Sequence, residues 1–274
     1  MSNELLSSWI GRSEISFDTL PLTLVRRIAV TFGEECPRVG ETLPPLWHWA
    51  FFQDPVIEEL LGEDGHPERG IFLPPIDGRN RMWAGGRLVF DAPLKVGIEA
   101  ERHSTITDIK EKQGKTGALL FVTVKHNYFQ EGQLCISEEQ DIVYREPSPP
   151  KLSHVAPLKK IEWIDTVCPS SVMLFRYSAV TFNGHRIHYD HPYVTEQEGY
   201  PGLVVHGPML ATLLLSSFLK NHSELTPRRF AFRGLRPMMA GHEFKLGGYR
   251  GEGKEYVLLA FNDQGIAHQA EIEY

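Results

Sequence analysis

Asn183 and His188 stand five positions apart in the stretch TFNGHRIHYD, with Gly184 between them to let the chain turn. A histidine takes or gives a proton near neutral pH, whereas an asparagine amide only donates and accepts hydrogen bonds. The pair could hold one water, with His188 as its only titrating member. Downstream, Gly207 and Pro208 follow His206 and open a run of apolar and small residues to Leu219, which predicts a helix. Proline suits the first turn of a helix, where its missing N–H would have had no partner. The positive end of the helix dipole then sits at Gly207, whose N–H can polarise a carbonyl or stabilise an oxyanion. Such a set suits adding water to, or removing it from, a double bond conjugated to a carbonyl. It equally suits hydrolysis of a thioester, so the residues alone do not decide.

The neighbouring residues carry rival readings. His185, His188 and His191 recur at intervals of three, which raises a metal site. Gly184 and the alternation of His185, Arg186, Ile187 and His188 argue against the helix that would gather them, and no nearby Cys or His–Glu pair completes a ligand set. No metal is expected. Asp190 is expected to cap a short helix beginning near Pro192. Arg176 and Arg186 are either solvated or hold a substrate carboxylate or phosphate. His206 reads as a packing or turn-shaping group. The aromatic patch Trp47–Phe52, WHWAFF, reads as core or as a lid over a pocket.

These groups need a scaffold, and 274 residues with 42% hydrophobic content can build one. The net charge of -7 comes without a block of like charge, which argues against nucleic-acid binding. Three separated cysteines, Cys36, Cys135 and Cys168, suggest neither a disulfide framework nor a zinc knuckle. The N-terminus shows no basic start with an apolar core, and no stretch reaches the roughly 18 apolar residues of a membrane span. A cytoplasmic, reducing setting without membrane association is therefore expected. Residues 1–32 read as largely helical, with Asp18 or Thr19 capping a segment through Leu22, Leu24, Val25, Ile28 and Ala29. Strands are predicted over 87–91, 98–111, 117–129 and 134–146, and again from Arg229 to Tyr274. Residues 147–160, PSPPKLSHVAPLKK, form a Pro-rich linker.

The two strand sets share landmarks in order. Pro93-x3-Gly97 matches Pro237-x3-Gly241, Gly114-Lys115 with Ala118-Leu119-Leu120 matches Gly253-Lys254 with Val257-Leu258-Leu259, and Asp141–Tyr144 matches Glu271–Tyr274. Two similar units are inferred, 1–146 and 161–274, each helical and then antiparallel, with their sheets joined edge to edge. The first unit has no counterpart of the Asn183–His188 and His206–Gly207 pairs. One site per chain is expected, with the first unit shaping the substrate pocket.

These residues carry a resemblance. Phe182-Asn183-Gly184-His185-Arg186-Ile187-His188-Tyr189-Asp190 and Tyr200-Pro201-Gly202-Leu203-Val204-Val205-His206-Gly207-Pro208 resemble the signature of MaoC-like hot-dog dehydratases. The similarity is to the branch holding hydroxyacyl-thioester dehydratase type 2 and mesaconyl-C4-CoA (3-methylfumaryl-CoA) hydratase. It extends to Trp9-Ile10-Gly11-Arg12, Leu43-Pro44-Pro45-Leu46-Trp47-His48-Trp49 and Arg81-Met82-Trp83-Ala84-Gly85-Gly86. The resemblance implies an α+β double hot-dog, a long helix wrapped by an antiparallel sheet in each unit. It implies a hydro-lyase that reversibly hydrates a 2-enoyl thioester of CoA or acyl-carrier protein to the 3-hydroxyacyl thioester, without metal or redox cofactor. The wider family pairs Asp and His in the spacing Asp-x4-His; His188 matches the His, and Asn183 stands in the Asp position. His188 would carry the proton, Asn183 position the water and Gly207 N–H stabilise the enolate oxygen. Arg186, Arg176, His206 and Trp83 are the candidate substrate contacts, and hydration of mesaconyl-C4-CoA to citramalyl-CoA is the specific expectation. A hot-dog thioesterase and a non-catalytic acyl-thioester binder are the alternatives. A homodimer of the double unit is the expected assembly.

Overall fold

The computed structural model describes residues 6–76, 78–114, 117–156 and 159–274. Ten strands form one antiparallel sheet: β1 (Ser13–Asp18), β2 (Asn80–Phe90), β3 (Ala100–Gly114), β4 (Gly117–Gln130), β5 (Gln133–Arg145), β6 (Trp163–Val167), β7 (Arg229–Gly234), β8 (Phe244–Arg250), β9 (Glu255–Asn262) and β10 (Gly265–Glu273). Their order is β1-β3-β4-β5-β2-β7-β10-β9-β8-β6. Read from each outer edge inward, 1-3-4-5-2 repeats as 6-8-9-10-7. The two units meet where β2 pairs with β7, from Gly85 opposite Arg233 to Val89 opposite Arg229. A side chain at Gly85 would collide with the carbonyl of Phe232, so the close approach of the two edges requires glycine there.

Among the described residues, α1 (Leu22–Phe32) packs on α2 (Ser171–Val180), and α3 (Gly207–Asn221) lies on the sheet. The last is apolar on nearly every side, because it is enclosed; it buries Met209, Leu210, Ala211, Leu214, Leu215 and Phe218 against β8, β9 and β10. Strand β4 alternates cleanly, with Leu120, Val122, Val124, His126 and Tyr128 facing inward.

The repeat holds at the level of single hydrogen bonds. Gly97 and Gly241 both take positive φ, 77° and 78°, and their N–H groups donate to Leu20 and Pro169 just after β1 and β6. Leu43 N–H donates to Leu94, and Val205 N–H to Met238, at 2.7 and 2.8 Å. Of the landmarks read from sequence, Lys115 lies outside the described residues.

Two expectations about the first unit change. Residues 13–18 form a strand on β3 rather than a helix, because Glu14-Ile15-Ser16-Phe17 alternates at the strand period. Asp18 does not cap α1, which starts after Pro21 without a side-chain cap; its carboxylate accepts from the N–H groups of Leu20 and Phe52. Among the described residues, the long helix is present in the second unit only. In the first, one 3-10 turn, Trp47–Ala50, gives way to extended Phe51 and to Phe52 at positive φ. The rings of Trp47, Trp49, Phe51 and Phe52 are buried in the core at this point.

Candidate active site

The matched hydrogen bonds locate the site against the repeat. Glu34 N–H donates to Ala29 just as Asn183 N–H donates to Ser178, so Glu34 is the counterpart of Asn183. Gly33 and Phe182, the residues before them, both take positive φ. The next shared anchor is Glu41 in one unit and Leu203 in the other, which accept from Val96 and Ala240. Between anchors the first unit uses residues 35–40 and the second 184–202. His188 lies in that longer path and has no counterpart.

His188 ends a short 3-10 turn, Arg186–His188, and is buried. Its Nδ1 lies 2.7 Å from the carbonyl oxygen of Val204. A carbonyl only accepts, so Nδ1 carries the proton and Nε2 keeps its lone pair. Burial pushes the pKa down to about 4, against the raising effect of that hydrogen bond, so the ring is a neutral base at pH 7. The Oδ1 of Asn183 accepts from His185 N–H at 2.9 Å and shapes the turn. Its NH2 is the part with no partner among the described residues.

His206 stacks on His188, with ring centroids 3.6 Å apart and planes 20° from parallel. Its Nε2 lies 2.8 Å from Ser178 Oγ, and Tyr177 meets its ring edge-on. Gly207 begins α3 immediately after it, and helix geometry leaves that first N–H without an intrahelical partner. An added Cβ there would come no closer than 4.0 Å to His268 or to the Trp83 carbonyl, so packing does not demand glycine. His268 is buried, with Nε2 unpaired and its pKa pushed by burial to about 4. Nothing in its strand pattern singled it out.

The first unit reaches into this site with the loop Gly62–His66. Asp64 carbonyl accepts from Arg186 N–H at 2.9 Å, and the Glu63 carbonyl accepts from the Arg186 guanidinium at 3.0 Å. The backbones of Gly65 and Gly184 pack so closely that a side chain on either would strike the other's carbonyl. Asp64 takes the His66 N–H on Oδ1 and His66 Nδ1 on Oδ2, at 3.0 and 3.1 Å. The His66 ring lies 4.2 Å from that of His185, which lies 5.3 Å from His188. Four imidazoles thus form a row from the first unit's loop to the start of α3. Sequence reasoning missed Asp64 and His66, which sit in a Gly- and Pro-rich stretch with no local pattern.

The comparisons with known proteins point one way. Residues 46–240 match the sequence profile of hydroxyacyl-thioester dehydratase type 2, more than half of the chain. The chain belongs to the hydroxyacyl-thioester dehydratase type 2 family. It is 43% identical over 252 residues to mesaconyl-C(4)-CoA hydratase of Chloroflexus aurantiacus, covering 90% of this chain and 89% of that one. It is 29% identical over 264 residues to the mitochondrial hydroxyacyl-thioester dehydratase type 2 of Schizosaccharomyces pombe, covering 85% and 86%. A solved MaoC-like dehydratase superposes with a TM-score of 0.74 at 13% identity, covering 98% of this chain and 99% of that one. The fold is the α+β double hot-dog of MaoC-like proteins, and the chain is a hydro-lyase of acyl thioesters.

The remaining candidate residues surround this row. Arg186 directs Nε and Nη2 to Asp190 Oδ2 at 2.9 and 2.8 Å and lies over the Tyr193 ring. Asp190 also takes the Tyr193 N–H on Oδ1, at the start of a π-helical turn (Tyr193–Gln197). Arg176 is exposed on α2. Trp83, on β2, donates from Nε1 to Gly85 and meets Trp49 and Phe232 edge-on. Its neighbour Arg81 adds to burial in lowering the pKa of His66 and His185. A shallow depression is lined by Phe32, Trp47, Trp49, Tyr177, Val180 and Thr212. It places the aromatic patch beside Tyr177, whose ring touches His206. Asp64, His66 and His185 hold donor atoms within 4.8 Å of one another, the only such group among the described residues. Both oxygens of Asp64 are already engaged by His66, so we read a hydrogen-bonded pair rather than a ligand set. His188 and His191 do not join it. No helix among the described residues is long and apolar enough to cross a membrane.

Proposed function

We propose that the protein hydrates mesaconyl-C4-CoA (3-methylfumaryl-CoA) to citramalyl-CoA, reversibly and at this one site. The observation that carries the reading is His188: a neutral imidazole with Nδ1–H tied to Val204 and Nε2 open, in a chain 43% identical to a hydratase of that name. In the forward direction the water oxygen bonds to the β-carbon while its proton goes to His188 Nε2. The electron pair of the double bond moves to the thioester oxygen, where the Gly207 N–H stabilises it. The proton then passes to the α-carbon as the carbonyl re-forms. One water is added and nothing else is consumed. The Asn183 NH2 holds the water oxygen, a task an amide performs without titrating.

Arg186 is held by Asp190, so we assign the distal carboxylate of the substrate to Arg81, whose charge already bears on the imidazole row. Exposed Arg176 is left to the CoA phosphates. The test is loss of enoyl-thioester absorbance with mesaconyl-C4-CoA and crotonyl-CoA side by side. Wild-type enzyme should turn over the dicarboxyl substrate faster, and His188→Ala should lose about 10²- to 10⁴-fold in kcat, the range for general acid–base groups. Turnover undiminished by His188→Ala would refute the assignment.

A further inference from the structure

We infer that Asp64 and His66, carried by the first unit, form the second proton-holding group of the active site, with Asp64 acting through His66. The inference rests on the hydro-lyase reading above.

The wider motif supplies a carboxylate where this chain has Asn183, and the Asn183 carbonyl oxygen is spent on the His185 N–H. In the row of four imidazoles, His188 is hydrogen-bonded to a carbonyl, His206 to a hydroxyl, and His185 has only ring contacts for its side chain. His66 alone is hydrogen-bonded to a carboxylate, Asp64 Oδ2 at 3.1 Å from Nδ1, and the same carboxylate lies within 4.8 Å of His185. An imidazolium is disfavoured by burial among like groups and favoured by an opposite charge at hydrogen-bond distance. Among the described residues, Asp64 is the one opposite charge beside the row, and it favours a proton most directly at His66. Burial, with Arg81 and Arg69, lowers the pKa of His66, and Asp64 opposes them. His185 and His188 lie on its other side and are held neutral by burial. Arg186, Asp190 and Tyr193 flank the Asp64 backbone and are committed to one another.

The placement is fixed by backbone rather than by side-chain chance. The Gly65–Gly184 contact and the Asp64 carbonyl to Arg186 N–H bond join the loop to the His188 turn. The segments that meet are those in which each unit departs from the repeat. In the proposed step, the proton that leaves water for His188 Nε2 is relayed by solvent water, because the rings touch without hydrogen bonds between them, and is held at His66 against Asp64. It returns through His188 to the α-carbon as the enolate collapses, so no proton is gained or lost overall.

The experiment measures kcat and KM against pH for wild type, Asp64→Asn, Asp64→Glu and His66→Gln, with melting temperature as the control for folding. Asp64→Asn and His66→Gln should lower kcat about tenfold or more with little change in KM, below the 10²- to 10⁴-fold span of a primary acid–base group. Asp64→Asn should also move the acidic limb of the kcat profile to lower pH, because the row loses the charge that favours its proton; Asp64→Glu should restore part of both. A purely structural loop would lower the melting temperature and raise KM while leaving that limb in place, which would overturn the proposal. So would activity that a chelator removes and zinc restores. If Asp64→Asn does not fold, the kcat of His66→Gln decides: an unchanged value overturns the proposal. Inactive wild type on both thioesters would instead refute the function, and active wild type with a dead His188→Ala but unaltered loop variants would refute this inference alone.

Discussion

Leu43–Leu46 in the first unit and Val205–Pro208 in the second occupy the same place in the repeat, tied to Leu94 and Met238 by equivalent hydrogen bonds. Beyond that shared tie the two units part completely. The second unit presents Gly207, with a free N–H, at the head of a fifteen-residue helix. The first presents Pro44 and Pro45, which have no N–H, and then a single 3-10 turn. The polar groups diverge in the same way. His48, Trp49, Tyr128 and Gln140 of the first unit all converge on buried Glu138. Burial alone would raise the pKa of that carboxyl, but the His48 hydrogen bond and charge bring it down to about 2. In the second unit His188 and His206 are buried with ring nitrogens left open. The first unit also leaves Ser16 Oγ, Arg102 Nε and Tyr144 OH buried without a partner, so the difference is local: Glu138 is bonded on both oxygens, whereas the imidazoles around His188 keep open nitrogens.

That contrast can be broken by substitution. Glu138→Ala leaves three buried partners, His48, Trp49 and Tyr128, and half-buried Gln140 without their acceptor and should cost about 3–5 kcal/mol of unfolding free energy, read from urea midpoints, with kcat of the folded enzyme retained. A large loss of kcat at full folding would erase the division between the units.

A smaller effect, counted ring by ring, comes from acid. His126 in the first unit and His188 and His268 in the second all have pKa values pushed by burial to about 4. The unfolded chain protonates these rings near 6.5, so between about 6.5 and 4 it binds more protons than the folded chain, and stability falls as pH falls. Each ring contributes on the order of 1 kcal/mol per pH unit across that window. Melting temperatures from pH 7 to 4.5 should decline, and His126→Gln should flatten the slope without lowering kcat; a flat wild-type profile would contradict the burial argument.

The smallest expected change is in selectivity. Arg81→Met should raise KM for mesaconyl-C4-CoA about tenfold, roughly one charge-assisted hydrogen bond, and leave crotonyl-CoA unaffected. Equal effects on both substrates would return the carboxylate role to another cation.

How far the sequence reveals this division depends on the distance over which each feature is encoded. The α3 helix and its open start are legible because Gly207-Pro208 and the apolar run are contiguous. The edge-to-edge sheet is legible because Pro93/Gly97 and Pro237/Gly241 mark the same turn twice. Strand β1 escapes because six alternating residues lie beside a stronger helical signal. The shortened helix of the first unit escapes because WHWAFF is compatible with helix, turn or core until the space it must fill is known. The Asp64–His66 loop escapes for a different reason: its partners Gly184, His185 and Arg186 lie far along the chain, and the lock is made by backbone groups that carry no residue signature.

The most direct test makes the second unit resemble the first at one atom. Gly207→Pro removes the N–H at the head of α3, as Pro45 lacks it in the first unit. His206, at φ -60° and ψ 134°, already has the backbone a following proline requires. Gly207→Ala keeps the N–H and serves as the reference, since a Cβ there meets nothing closer than 4.0 Å. With mesaconyl-C4-CoA, the alanine enzyme should exceed the proline enzyme in kcat by about 10²- to 10³-fold, the usual contribution of one oxyanion donor, at similar melting temperatures. Equal kcat in the two would contradict the proposed role of the free helix start.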